Sequence, residues 1–204
     1  MVSTFQSSVK RAADLVIATM ALVILAIPMI VIAILVRLTS PGPALYWSRR
    51  VGRNNQIFFM PKFRSMRTNT PQLATHLLTN SEQWITPLGH ILRVTSLDEM
   101  PQIYNILRGD MSIVGPRPAL FNQDDLIELR TACGVSRIPP GLTGWAQING
   151  RDELSIPEKV RLDEYYMHHQ SLAFDLKILV LTVFKVLRRE GIVQAGQESP
   201  RKAA

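Results

Sequence analysis

Two adjacent carboxylates, Asp98 and Glu99, open a helical pattern with Arg93 five residues upstream and Arg117 downstream. In the first turn of a helix the free backbone N–H groups favour an ionised carboxylate, which can attack phosphorus or hold a divalent ion. Acidic residues there also act simply as caps, so the pair acquires chemical meaning only from its neighbours. Downstream runs Gly109-Asp110-Met111-Ser112-Ile113-Val114-Gly115-Pro116-Arg117-Pro118, in which Arg117 is flanked by two prolines. Proline fixes its own φ and confines the preceding residue to extended backbone, so a rigid loop presents one guanidinium. Such an arginine suits a phosphate, because its ordering cost is met in advance; pairing with an acid is the structural alternative. Lys62 and Arg64 alternate around Phe63 and project onto one face of a strand. Gly141-Leu142-Thr143-Gly144-Trp145-Ala146-Gln147, followed by Gly150-Arg151, is a second glycine-punctuated loop ending in arginine. The sequence contains no G-x-G-x-x-G, P-loop, H-E-x-x-H or paired C-x-x-C motif. His168 and His169 are adjacent on a helix and point about 100° apart, which suits structural roles better than chelation.

These residues need elements to position them. Thr95 to Arg108 carries apolar residues at Leu97, Met100, Ile103, Tyr104, Ile106 and Leu107, the spacing of a one-faced helix. Ser96 with Glu99 fits a capping box, but Pro101 would then lie at the fifth helical position; a start nearer Leu97 or Asp98 avoids that conflict. Ala44 to Ser48 and Gln56 to Met60 read as two strands of a hairpin, with Asn54-Asn55 supplying left-handed backbone in the turn. Residues 68 to 82 read as loop with a short helix. Pro157 to Gln170 and Asp175 to Glu190 read as helices. The second carries Leu176, Leu179, Val180, Val183, Phe184 and Leu187 on one side and Lys177, Lys185, Arg188 and Arg189 elsewhere. It fits either a headgroup-layer helix or a core helix with a solvated basic face.

The chain has 204 residues, one cysteine and a net charge of +7, with 17 Arg against 6 Lys. A disulfide scaffold is excluded and the lone Cys133 fits a reducing compartment. The arginine bias suits nucleotides, phospholipid headgroups or nucleic acid without choosing among them. Leu15 to Val36 is 22 residues with Thr19 alone polar, a membrane segment too long for a signal-peptide core. Pro28 near its middle should bend or break it. Leu15 to Ile27 alone spans about 20 Å at roughly 1.5 Å per residue, short of a hydrocarbon core of about 30 Å. Lys10 and Arg11 precede the segment, while Arg37, Arg49, Arg50 and Arg53 follow it. A straight span would export one basic cluster, whereas a re-entrant hairpin exports neither. A kinked single-pass anchor remains the alternative on these grounds. Asp14 can face Lys10 or Arg11 and clamp the entry at the interface. Ser40-Pro41-Gly42-Pro43 ends the membrane element.

Lys62-Phe63-Arg64-Ser65-Met66, Ser96-Leu97-Asp98-Glu99, Gly109-Asp110-Met111-Ser112, Pro116-Arg117-Pro118 and Gly141 to Arg151, in this order, resemble the bacterial sugar transferase family. More narrowly, they resemble its small monotopic phosphoglycosyl transferases. The resemblance runs from Lys10 to about Gly191. Two departures stand out: Ile27 precedes Pro28 where serine is common, and Asn55 replaces a turn glycine.

The resemblance implies a helix-rich α/β (α+β) fold. Residues 1–39 would form a re-entrant membrane hairpin broken at Pro28 and anchored by Lys10, Arg11 and Asp14. Residues 40–193 would form one small cytosolic catalytic domain with interfacial amphipathic helices, and 194–204 a polar tail. It implies transfer of a sugar 1-phosphate from a UDP-sugar to a polyprenyl (undecaprenyl) phosphate with release of UMP, the first membrane step of glycoconjugate assembly. Asp98 would be the nucleophile, forming an aspartyl-phosphosugar. Glu99 would ligate Mg²⁺, and Lys62, Arg64, Arg93, Arg117 and Arg151 are candidates for phosphate contacts. The expected setting is the phospholipid of the inner leaflet at the cytoplasmic face of the bacterial inner membrane, with no nucleic-acid partner. A glycosyltransferase releasing UDP and a non-enzymatic, membrane-tethered basic binding protein are the rival readings. Neither the sugar nor the oligomeric state follows from the sequence.

Overall fold

A 36-residue apolar helix, α1 (Thr4–Thr39), leads into a small mixed domain. The computed structural model describes residues 4–70, 81–150 and 154–188. Pro28 lies inside α1, and the chain stays helical on both sides of it, so the expected break does not interrupt the helix. Proline removes one N–H and crowds one carbonyl, which a long helix with a continuous packed stripe can absorb. That stripe is Asp14, Ala18, Ala21, Leu25, Met29, Ile32 and Val36. Its N-terminal half packs on a cluster containing Ile103, Ile106, Met111 and Ile113, and its C-terminal half on Phe63, Leu88, Leu92 and Met100. The opposite face exposes Val16, Met20, Val23, Ile24, Ile27, Val31, Ile34 and Leu38.

Strands β1 (Leu45–Val51) and β2 (Ile57–Phe63) form an antiparallel hairpin running from Leu45↔Phe63 to Val51↔Ile57. Its turn uses the left-handed backbone of Asn54 (φ 54°) and Asn55 (φ 60°), as their short polar side chains allow. Both strands run three residues beyond the expected ends, because pairing continues past the apolar runs that mark them in sequence. Next come α2 (Pro87–Val94), a 3-10 turn over Leu97–Gln102 and α3 (Ile103–Arg108). Strand β3 (Ser112–Val114) pairs in parallel with β4 (Gly141–Thr143), a ladder too short to show in sequence. Between and after them lie α4 (Asp124–Ala132), α5 (Trp145–Ile148), α6 (Ile156–His169) and α7 (Leu172–Arg188). Ser155 and Glu158 form the capping box of α6. Helix α7 begins three residues before its expected start and exposes Leu172, Leu176, Val180, Val183 and Phe184 along one side.

Arg151 lies outside the described residues, as do the 194–204 tail, Arg189 and Glu190 and most of the expected loop between 68 and 82.

Candidate active site

The 3-10 turn that carries the carboxylates starts from Ser96, whose left-handed backbone (φ 57°) reverses the chain after α2. The expected Ser96–Glu99 capping box does not form: Ser96 makes no side-chain cap bond, and Glu99 turns away toward two cations. Lys62 Nζ on β2 donates to Glu99 Oε1 at 2.7 Å. Arg117 reaches the same carboxylate with both terminal nitrogens, Nη2 to Oε1 at 2.5 Å and Nη1 to Oε2 at 3.3 Å. Although burial works to raise Glu99, Arg117 and Lys62 together hold its carboxyl well below the ordinary carboxylate range.

Asp98 is the opposite case. It is 8 % exposed, and no described residue donates a hydrogen bond to its carboxylate. Burial pushes its pKa above the usual 3.8; Glu99 adds to this, while Lys62, Arg93 and Arg117 pull it back. Burial and neighbouring cations thus drive the proton affinities of two adjacent carboxylates apart. Glu99 is an anchored anion, and Asp98 keeps its lone pairs free within a cationic surround. Arg93 is held in the last turn of α2, whose N-terminus is fixed by Thr86, which accepts from the Gly89 N–H at 3.0 Å.

The loop carrying Arg117 is pinned along its length. Gly115 N–H donates to Thr143 O at 2.8 Å, and Gly141 N–H returns to Pro116 O at 2.9 Å. The two chains approach so closely there that a Cβ on Gly141 would lie 2.1 Å from Gly115 N. Arg50, which the sequence reading placed only in a basic flank, belongs to this neighbourhood. Its Nη1 donates to Pro118 O at 3.2 Å and its Nε to Ser48 Oγ at 3.0 Å. Burial, then the Arg117 charge, lowers its pKa to about 10. The signal was strand alternation: Arg50 lies opposite Phe58, on the same hairpin face as Lys62, once the strand is extended past Ser48.

The structure therefore brings together Asp98, Glu99, Lys62, Arg93 and Arg117. Arg64 is not among them. Its guanidinium turns to the C-terminal end of α1, where Nη2 donates to Ser40 O and Ser40 Oγ, both at 2.7 Å, and to Val36 O at 3.4 Å. Lys62 and Arg64 share a strand face but not a partner, because α1 ends directly beside Arg64. Lys10, Arg11 and Asp14 are likewise fastened to the domain rather than left at a free flank. Lys10 Nζ donates to Asp175 Oδ2 at 2.6 Å and lies 4.0 Å from Asp14. Arg11 donates to Ile106 O and Leu107 O at 2.6 and 2.9 Å, and Asp14 accepts from Ile113 N–H at 3.1 Å.

Among the described residues no cluster of three or more His, Cys, Asp or Glu side chains could hold a metal. The donor set is compatible with Mg²⁺, which takes one or two carboxylates and completes its shell with water and substrate phosphate. Asp98 and the less engaged Oε2 of Glu99 are the oxygens such an ion would find.

The chain is similar to known proteins over most of its length. The family model described as bacterial sugar transferase matches residues 5–189. The chain is 41 % identical over 183 residues to UDP-glucose:undecaprenyl-phosphate glucose-1-phosphate transferase of Escherichia coli K12, covering 86 % of this chain and 39 % of that protein. It is 41 % identical over 187 residues to the uncharacterized sugar transferase EpsL of Bacillus subtilis, covering 91 % and 90 % respectively. It is 36 % identical over 201 residues to undecaprenyl-phosphate galactose phosphotransferase of Salmonella typhimurium, covering 89 % and 41 %. The chain thus spans about two fifths of the Escherichia and Salmonella proteins but nearly all of the Bacillus one.

Proposed function

The chain belongs to the bacterial sugar transferase family, and from that membership we propose that it transfers a sugar 1-phosphate from a UDP-sugar to undecaprenyl or a related polyprenyl phosphate, releasing UMP. The observation that carries this reading is the contrast between two adjacent carboxylates. Glu99 is locked by Lys62 and Arg117, while Asp98 is buried among cations with its oxygens unengaged.

Asp98 attacks the phosphorus bearing the sugar. The new carboxylate–phosphorus bond forms as the bond from that phosphorus to the bridging oxygen breaks, and the bridging oxygen leaves with the electron pair as UMP. A phosphate oxygen of the polyprenyl acceptor then attacks the same phosphorus, displaces the Asp98 carboxylate and yields the polyprenyl diphosphate-sugar. Arg93, Arg117 and Lys62 bind the anionic donor and stabilise charge on the transferring group without forming covalent bonds. Mg²⁺, held through Asp98 and Glu99, would supply charge neutralisation at the diphosphate.

In the same proposal α1 is a re-entrant element in the cytoplasmic leaflet. Both of its ends are fastened to the one domain, Lys10 and Arg11 at the start and Val36 and Ser40 at the finish, while its outer face is apolar. A helix of 36 residues would be about 54 Å long if straight, and crossing a bilayer would carry one end away from that domain. The exposed apolar side of α7 rests in the headgroup layer among phospholipids. This placement keeps the site at the depth of the acceptor's phosphate while its tail stays in hydrocarbon.

Intact-mass measurement of the detergent-held protein with candidate UDP-sugars and Mg²⁺, without acceptor, tests the reading. An adduct of one phosphosugar that is absent in Asp98→Asn supports it. Release of UDP instead of UMP would mark a glycosyltransferase and overturn it.

A further inference from the structure

The carbonyls of four consecutive residues, Pro116 to Ala119, are each held by a donor from elsewhere. Gly141 N–H holds the first, Arg130 Nη1 the second at 2.8 Å, Arg50 Nη1 the third and Val51 N–H the fourth at 3.0 Å. Arg130 differs from the others in its depth. It sits in the last turn of α4, 7 % exposed, and places Nε and Nη2 on Asp163 Oδ2 of α6 at 3.0 and 2.5 Å. Asp163 is 2 % exposed. Among the described residues neither is bonded to Asp98, Glu99 or Lys62.

Joining α4 to α6 does not require this pair. Desolvating two ions costs about as much as their attraction returns, and apolar residues of similar volume pack as well or better. What the pair supplies is one N–H of fixed direction, aimed at the carbonyl of Arg117. That residue precedes Pro118, so its backbone is confined to a narrow extended range. Fixing its carbonyl therefore also fixes the direction in which its side chain departs toward Glu99. Asp163 in turn fixes the plane of the Arg130 guanidinium.

We propose that Arg130, oriented by Asp163, is a positioning residue that sets the Arg117 guanidinium on Glu99. The proposal rests on the activity inferred above. Its test is a double-mutant cycle with UMP release as readout. Arg130→Met with Asp163→Leu exchanges the ion pair for apolar side chains, and the change is made in the wild type and in Arg117→Lys.

The expected result is a melting temperature within a few degrees of the wild type and a turnover loss of about 100-fold, the scale of an ångström's misplacement. In the Arg117→Lys background the same change should cost less than about threefold, since the residue it positions is already altered. The loss should fall on kcat rather than on KM, since Lys62 and Arg93 remain in place to bind the donor. Equal losses in both backgrounds, or a loss confined to KM, would overturn the proposal. Should the apolar pair fail to fold, Asp163→Asn replaces it under the same criteria. Release of UDP by the wild type would refute the activity, and the cycle could still be read on that product.

Discussion

Replacing Lys10 with methionine should loosen the membrane helix from its domain by an amount that follows from the geometry. Lys10 Nζ lies 2.6 Å from Asp175 Oδ2, and both side chains are largely buried. At an effective dielectric constant of about 20 the gross attraction is about 6 kcal/mol. Removing both ions from water costs several kcal/mol each, so the intact pair contributes little net. The single substitution is far from neutral. Among the described residues it strands Asp175 with the Tyr166 hydroxyl (2.7 Å) as its remaining side-chain donor, and it removes the cation 4.0 Å from Asp14. Breaking such a pair costs about 3–5 kcal/mol. At roughly 2–4 °C per kcal/mol for a chain of this size, the melting temperature should fall by about 6–20 °C. Adding Asp175→Asn removes the stranded charge and should recover at least half of that loss. Tryptophan fluorescence melts of the detergent-held protein measure both variants. A drop of under about 2 °C for Lys10→Met, or a double variant melting no higher than the single, would refute the reasoning.

Three further outcomes are expected. Asp98→Asn should abolish the phosphosugar adduct and reduce UMP release by at least about 10³-fold. Because burial raises the Asp98 pKa, its ionised form opposes folding at pH 7, so this variant should melt at or above the wild-type temperature; a clear decrease would contradict that. As pH is lowered, kcat/KM should fall through the Asp98 pKa, above 3.8, while Glu99, held low by Arg117 and Lys62, stays ionised longer; a limb centred at or below 3.8 would show that burial does not govern this group. Gly141→Ala should destabilise the protein by about 1–3 kcal/mol or more, since its Cβ meets the Gly115 backbone rather than a side chain able to move; a melt unchanged by the substitution would refute that.

Much of the candidate site was legible because covalent neighbours announce it. Asp98 and Glu99 are consecutive, and Arg117 is locked by prolines whose torsional limits apply in any fold. What was missed or misplaced depends on which elements meet. Arg50 reads as a flank until the strand register puts it on the Lys62 face. Arg64 reads as its ligand-binding partner until α1 is seen to end beside it. The Arg130–Asp163 pair joins residues 33 positions apart, and no local pattern brings them together.

The sequence by itself determined the apolar helix with its proline, the hairpin turn, the helix that becomes α6 and the order of the charged motifs, because each depends on torsional preference or periodicity within a few residues. Only the tertiary structure decided which carboxylate is clamped and which is free, and that both ends of α1 are fastened to one domain. Those outcomes depend on distances between side chains far apart in the chain, and the balance of burial against a nearby cation does not exist until the fold has formed.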